Sequence, residues 1–125
     1  MNYHTVTDER DEYIWNLLLA HAGTTFTTAR GLPFTYHQKI SRDGQPLGEL
    51  VIDRKEKTIT RNTVLLGYEK AVELMKTDGC VKGPKKLGVF GASYLYPVFL
   101  ELGVCRKEKE ETDYGRQISD IHKIR

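Results

Sequence analysis

Ile14, Leu17, Leu18 and His21 recur at i, i+3, i+4 and i+7, and Trp15, Leu19 and Ala22 widen the same stripe. That period predicts an amphipathic helix. Thr7 or Asp8 is its expected cap, the early acids suit the positive end of the helix dipole, and Gly23 marks its stop. The period then shortens to two. TTFTTARG (residues 24–31) is β-branched and then turn-like, which admits a short strand around Phe26. Phe34, Tyr36, Gln38 and Ile40 alternate with Thr35, His37 and Lys39, the pattern of a half-buried strand. SRDGQPLG (41–48) reads as a turn, with Pro46 discouraging a regular strand, and residues 49–54 return with Leu50 and Ile52 on one side.

The helical period resumes at Arg61. Thr60 is the expected N-cap, which places Ile59 and Val64 at the two positions of a hydrophobic staple. Val64, Tyr68, Ala71, Val72 and Met75 share a face, and Asp78-Gly79 ends the helix. After a turn at Gly83-Pro84, residues 87–90 read as a short strand or loop. A last core helix is expected from about Tyr94 to Leu102, with Pro97 in its first turn, where a missing N–H costs little. The expected architecture is α+β over residues 1–105: an antiparallel β-hairpin, extendable by a third strand, packed by three core helices. Residues 106–125 form a charged tail. Ile118, Ile121 and Ile124 would either dock it as a short helix or leave it disordered.

A length of 125 residues suits one domain with a sizeable core, and 39% hydrophobic and 29% charged residues suit a water-soluble one. No apolar run reaches the length of a membrane span. The first residues are acidic and polar where a secretory leader is basic and then apolar, so the expected location is cytoplasmic. Cys80 and Cys105 lack histidines at ligand spacing and are read as free structural thiols, with no metal and no cofactor implied.

Net charge is only +2, but it is unevenly spread. DERDE (8–12) carries −3, whereas RKEKTITRN (54–62) and KGPKK (82–86) each carry +3. Positive charge gathered mid-chain points toward an anionic partner.

Four motifs bear on that partner. GPKKLGVF (83–90) has the glycine spacing of a P-loop, but Val89 and Phe90 stand where the phosphate-binding lysine and the magnesium-binding hydroxyl belong. A weaker anion site remains there, with Ser93 capping a helix beside Lys85 and Lys86; the plain alternative is that Tyr94, Tyr96 and Phe99 simply fill the core. KEKTITRNTV (55–64) resembles the start of a winged-helix recognition helix, with Lys55, Lys57, Arg61 and Asn62 at a helix N-terminus. A strand precedes it, however, where a helix-turn-helix has its first helix. Asp53-Arg54-Lys55 matches the D-x-K of metal-dependent nucleases without the partner acid on the preceding strand. Arg30, on the turn before Gly31, is a candidate phosphate or carboxylate contact. Neither G-x-S-x-G nor a cysteine with a marked histidine partner is present, so no catalytic residue is named.

The phrases TTARGLPFTY, DRKEKTITRNTV and GPKKLGVFGASYLYP resemble those of a family of small bacterial proteins of unknown function. The resemblance implies no activity, ligand or catalytic residue. From the residues alone, the expected function is non-enzymatic nucleic-acid binding. Arg30, Lys55, Lys57, Arg61, Asn62, Lys85 and Lys86 would contact phosphates. The alternative is a protein-interaction or self-association module with Tyr94, Tyr96 and Phe99 partly exposed. A nuclease using Asp53 and Lys55 is the third reading.

Overall fold

The computed structural model describes residues 2–109, with side chains from Glu9 onward. The possible tail helix at Ile118, Ile121 and Ile124 lies outside the described residues. The architecture is α+β, as the periodicities predict.

Helix α1 (Asn2–Ala20) buries Ile14, Trp15 and Leu18 on the expected stripe. It starts at Asn2, so Thr7 and Asp8 lie inside it rather than at its cap. His21 closes its end by donating from Nδ1 to the Leu17 carbonyl at 3.0 Å. Strands β1 (Phe26–Thr27) and β2 (Pro33–Phe34) then form a two-residue antiparallel ladder. Strands β3 (Tyr36–Ile40), β4 (Pro46–Ile52) and β5 (Lys57–Thr60) make a second antiparallel sheet in the order β3-β4-β5.

Three differences from the sequence reading have local causes. Pro46 begins β4 instead of interrupting it. It pairs with Ile40 outside the stretch that β5 covers, so its missing N–H breaks no ladder bond on that side. A register shift between Gln38 and Ile40 carries Ile40 out of the alternation and leaves it 51% exposed. The third strand is β5, which the charged residues around Ile59 conceal. The Asp53-to-Glu56 segment is therefore the turn between β4 and β5, with Glu56 at φ 51°.

Helix α2 (Arg61–Thr77) starts directly from β5. The Thr60 hydroxyl accepts from the Thr63 N–H at 3.2 Å, and both staple residues, Ile59 and Val64, are fully buried. At the other end Asp78 and Gly79 donate their N–H groups back to Leu74 and Met75. A 3₁₀ turn (Pro84–Leu87) and helix α3 (Ala92–Glu101) complete the domain. A Cβ on Gly67 of α2 would stand 3.2 Å from Val89, 3.6 Å from Leu95 and 3.7 Å from Phe99. Absence of a side chain at Gly67 thus lets α2 approach α3 closely.

Pro97 lies beyond the first turn of α3, because the helix starts at Ala92 rather than Tyr94. The core unites all these elements. The Tyr36 hydroxyl donates to the Leu18 carbonyl at 2.6 Å, and the Tyr96 hydroxyl to the Val81 carbonyl at 2.5 Å. Burial raises the Tyr36 phenol well above its ordinary value. Phe34 meets Tyr94 edge-on at 5.0 Å, which joins the small sheet to α3.

Candidate functional site

The turn between β1 and β2 is tied to itself three times. The Gly31 N–H donates to the Thr28 carbonyl at 2.8 Å, the Thr28 N–H to the Leu32 carbonyl at 2.9 Å, and the Leu32 N–H to the Thr28 hydroxyl at 3.1 Å. These bonds fix Arg30 on the exposed rim. Facing it is the 3₁₀ turn, opened by Pro84 and anchored by buried Leu87, with Lys85 exposed. The first turn of α3 supplies Ser93 and Tyr94. Between these elements lies a cleft of about 680 Å³. Its lining joins Arg30 and Lys85 to the apolar side chains of Leu32, Val89 and Tyr94, and holds no acidic side chain among the described residues.

Beside the cleft, residues 88–91 bring an aromatic ring to the surface. Gly91 has φ 77°, and a Cβ there would stand 2.4 Å from Ile59 Cδ1, so the loop backbone rests directly on the sheet. Val89 is half-buried and Phe90 is turned outward, 59% exposed. The Lys57 ammonium stands 4.9 Å from the centre of the Phe90 ring and 5.7 Å from that of Tyr94, within cation–π range of both. Tyr94 also lines the cleft, so Lys57 links the Phe90 ring to one residue of the lining that holds Arg30 and Lys85.

The other residues picked out from the sequence are dispersed. Lys86 lines a smaller depression with Lys82 and Asp78, because successive residues of a 3₁₀ turn point about 120° apart. Lys55 is exposed on the β4–β5 turn and Asn62 on the start of α2. Arg61 is engaged elsewhere: its guanidinium meets Glu12 at 2.7 Å and lies 5.6 Å from the Trp15 ring, joining α2 to α1. One base of the 54–62 segment is thus paired with one acid of the 8–12 segment.

Other expectations need correction. Tyr94, Tyr96 and Phe99 are buried and form no exposed patch, because α3 presents them to the core. Ser93 is not the cap of α3. Gly91 is, and no side chain caps that end. Asp53 closes the mouth of the hairpin: its Oδ1 accepts from the Thr35 N–H at 2.8 Å and its Oδ2 from the Thr35 hydroxyl at 2.5 Å. The Thr35 hydroxyl, then its N–H, hold the Asp53 carboxyl below the usual range. Among the described residues, no group of three or more His, Cys, Asp or Glu is arranged to hold a metal ion.

Cys80 and Cys105 are buried free thiols. Burial pushes the Cys105 thiol up to about 11. The Tyr96 phenol rises as well, through burial first and then through the two neighbouring cysteines. Sequence reasoning passed over Phe90, Leu32 and Thr28 as site residues. An aromatic directly between glycine-rich turns was the available signal for Phe90. No described helix is long and apolar enough to cross a membrane. Comparison with protein-family models, curated proteins and solved structures found no match to the chain.

Proposed function

We propose that this chain is a non-enzymatic nucleic-acid-binding module of the bacterial cytoplasm. It would hold phosphates through Arg30 and Lys85 at the cleft and through Lys57 beside it. The observation that carries the reading is that Arg30 and Lys85, from two separate segments, line one cleft with no acid among its described residues, while Lys57 lies against Tyr94 of the same lining. An anion there is attracted by both cations, and no carboxylate among the described lining residues repels it. Lys55 and Lys86 stand outside the cleft and add long-range attraction, Asn62 offers only a neutral amide at the start of α2, and Arg61 is occupied by Glu12.

Binding of a fluorescent oligonucleotide across a salt series tests this directly. Two or three phosphate contacts give a log–log salt slope of about −1.5 to −3. The Arg30→Ala, Lys85→Ala double variant should reduce that slope by about 1 to 2. Undetectable binding at low salt, or binding indifferent to salt, refutes the proposal.

A self-association reading has its own observation. Ile40 and Leu47 are 51% and 45% exposed near the β3–β4 turn, where Ile40 pairs with Pro46. The apolar candidate therefore moves from the Tyr94 set to this hairpin. Light scattering across a concentration series should then show a dimer that Ile40→Ser disperses; a monomer at every concentration removes this reading.

A further inference from the structure

We infer that the bound form is a single strand, with Phe90 as a platform on which one unpaired base stacks. This inference rests on the nucleic-acid reading above and adds to it the type of strand.

Among the described residues, core packing does not account for the position of Phe90. It lies outside the core at 59% exposure, even with Lys57 against it. Its backbone is nevertheless firmly seated, because buried Leu87 comes before it and Gly91 after it rests on Ile59. An exposed ring on an anchored loop loses little freedom when a flat partner covers it. The chemistry around it narrows that partner. Lys57 stands over the ring, Tyr94 joins it to the cleft, and Arg30 and Lys85 wait at the cleft's rim. Alternation of aromatic face and cation matches a chain that alternates base and phosphate.

A duplex offers phosphates to the lysines and the arginine, but its bases are already stacked and leave the ring with nothing to cover. A single strand can satisfy both. The apolar lining residues Leu32, Val89 and Tyr94 then give a neighbouring base a wall, while Arg30 and Lys85 take the phosphates.

The test compares fluorescence anisotropy of labelled oligo(dT) with that of a labelled mixed-sequence duplex at one low salt concentration. The wild type, Phe90→Ala, Phe90→Trp and the Arg30→Ala, Lys85→Ala double variant are measured. Phe90→Ala should weaken oligo(dT) binding about 5- to 150-fold, the range that one base–aromatic stack carries. It should leave duplex binding within about twofold, and Phe90→Trp should restore the single-strand affinity. The double charge variant should weaken both ligands. If Phe90→Ala leaves oligo(dT) binding unchanged, or weakens both ligands equally, the platform is refuted while phosphate binding stands. If the wild type binds neither ligand, the nucleic-acid reading falls and the platform with it.

Discussion

Gly91→Ala is the sharpest probe of how the aromatic loop is built. Two costs add at this position. The backbone, at φ 77°, lies in the left-handed region, which costs an L-residue about 1–2 kcal/mol. The new methyl would also stand 2.4 Å from Ile59 Cδ1 and 2.8 Å from Cγ1, well inside carbon–carbon contact distance. Ile59 is fully buried, so either it leaves its rotamer or the loop lifts. Overpacking of that kind costs about 1–3 kcal/mol.

Gly88→Ala is the matched control, with φ 65° and no atom of the described residues within 4 Å of the new methyl. It carries the backbone cost alone, and the loss of unfolded-chain entropy is common to both variants. Urea unfolding, followed by fluorescence of the single, buried Trp15, should therefore find Gly91→Ala less stable than Gly88→Ala by about 1–3 kcal/mol. Ile59→Val removes the closest methyl group. It should cost about 0.5–1.5 kcal/mol in the wild type but less in the Gly91→Ala background. Equal losses for the two alanine variants, or an unchanged cost of Ile59→Val, would show that the loop does not rest on Ile59.

Other consequences are simpler to measure. Thr60→Ala should destabilise the protein by about 1 kcal/mol in the same assay, and Thr60→Asn should keep most of the stability, since the lost group is a cap acceptor. Asp53 has a folded-state value below its ordinary 3.8, so its contribution is present above that pH and is lost as pH falls through the lower folded value. Thermal melts across the acid range should show a shallower decline for Asp53→Asn than for wild type; identical slopes contradict the Thr35 contacts. Cys105, protonated up to about 11 in the fold against an ordinary 9.0, favours the folded state fully below that ordinary value and less as pH rises through the folded one. At pH 8 its reaction with a thiol reagent should be slow in buffer and fast in urea, which mass mapping of the labelled site would read.

Most of the frame was legible from period and punctuation. Thr60 with Ile59 and Val64 located the start of α2, and the alternation through Tyr36 located the hairpin. What escaped depended on partners distant in sequence. Strand β5 has one buried residue, Ile59, among one lysine and two threonines, so its own pattern is too short to declare a strand. Tyr94 and Phe90 look equivalent as aromatics after a glycine turn. One is covered by Phe34 and the other is turned outward, a difference fixed only when α3 packs. The candidate site was half visible. Arg30 and Lys85 were named separately, but their meeting depends on how the β1–β2 turn faces the 3₁₀ turn. Conversely, Lys85 and Lys86 read as one patch, and Lys57 and Arg61 as another. A 3₁₀ turn separates the first pair, and Glu12 withdraws Arg61 from the second.

The central claim is that Arg30, Lys85, Lys57 and Phe90 form one continuous binding surface. A titration of isotope-labelled protein with oligo(dT), followed by amide chemical shifts, tests it most directly. The account predicts changes gathered in residues 28–32, 84–94 and around Lys57, with Arg61, Asn62 and the β3–β4 turn unmoved. Shifts centred on Arg61 and Asn62, or on the β3–β4 turn, would contradict it.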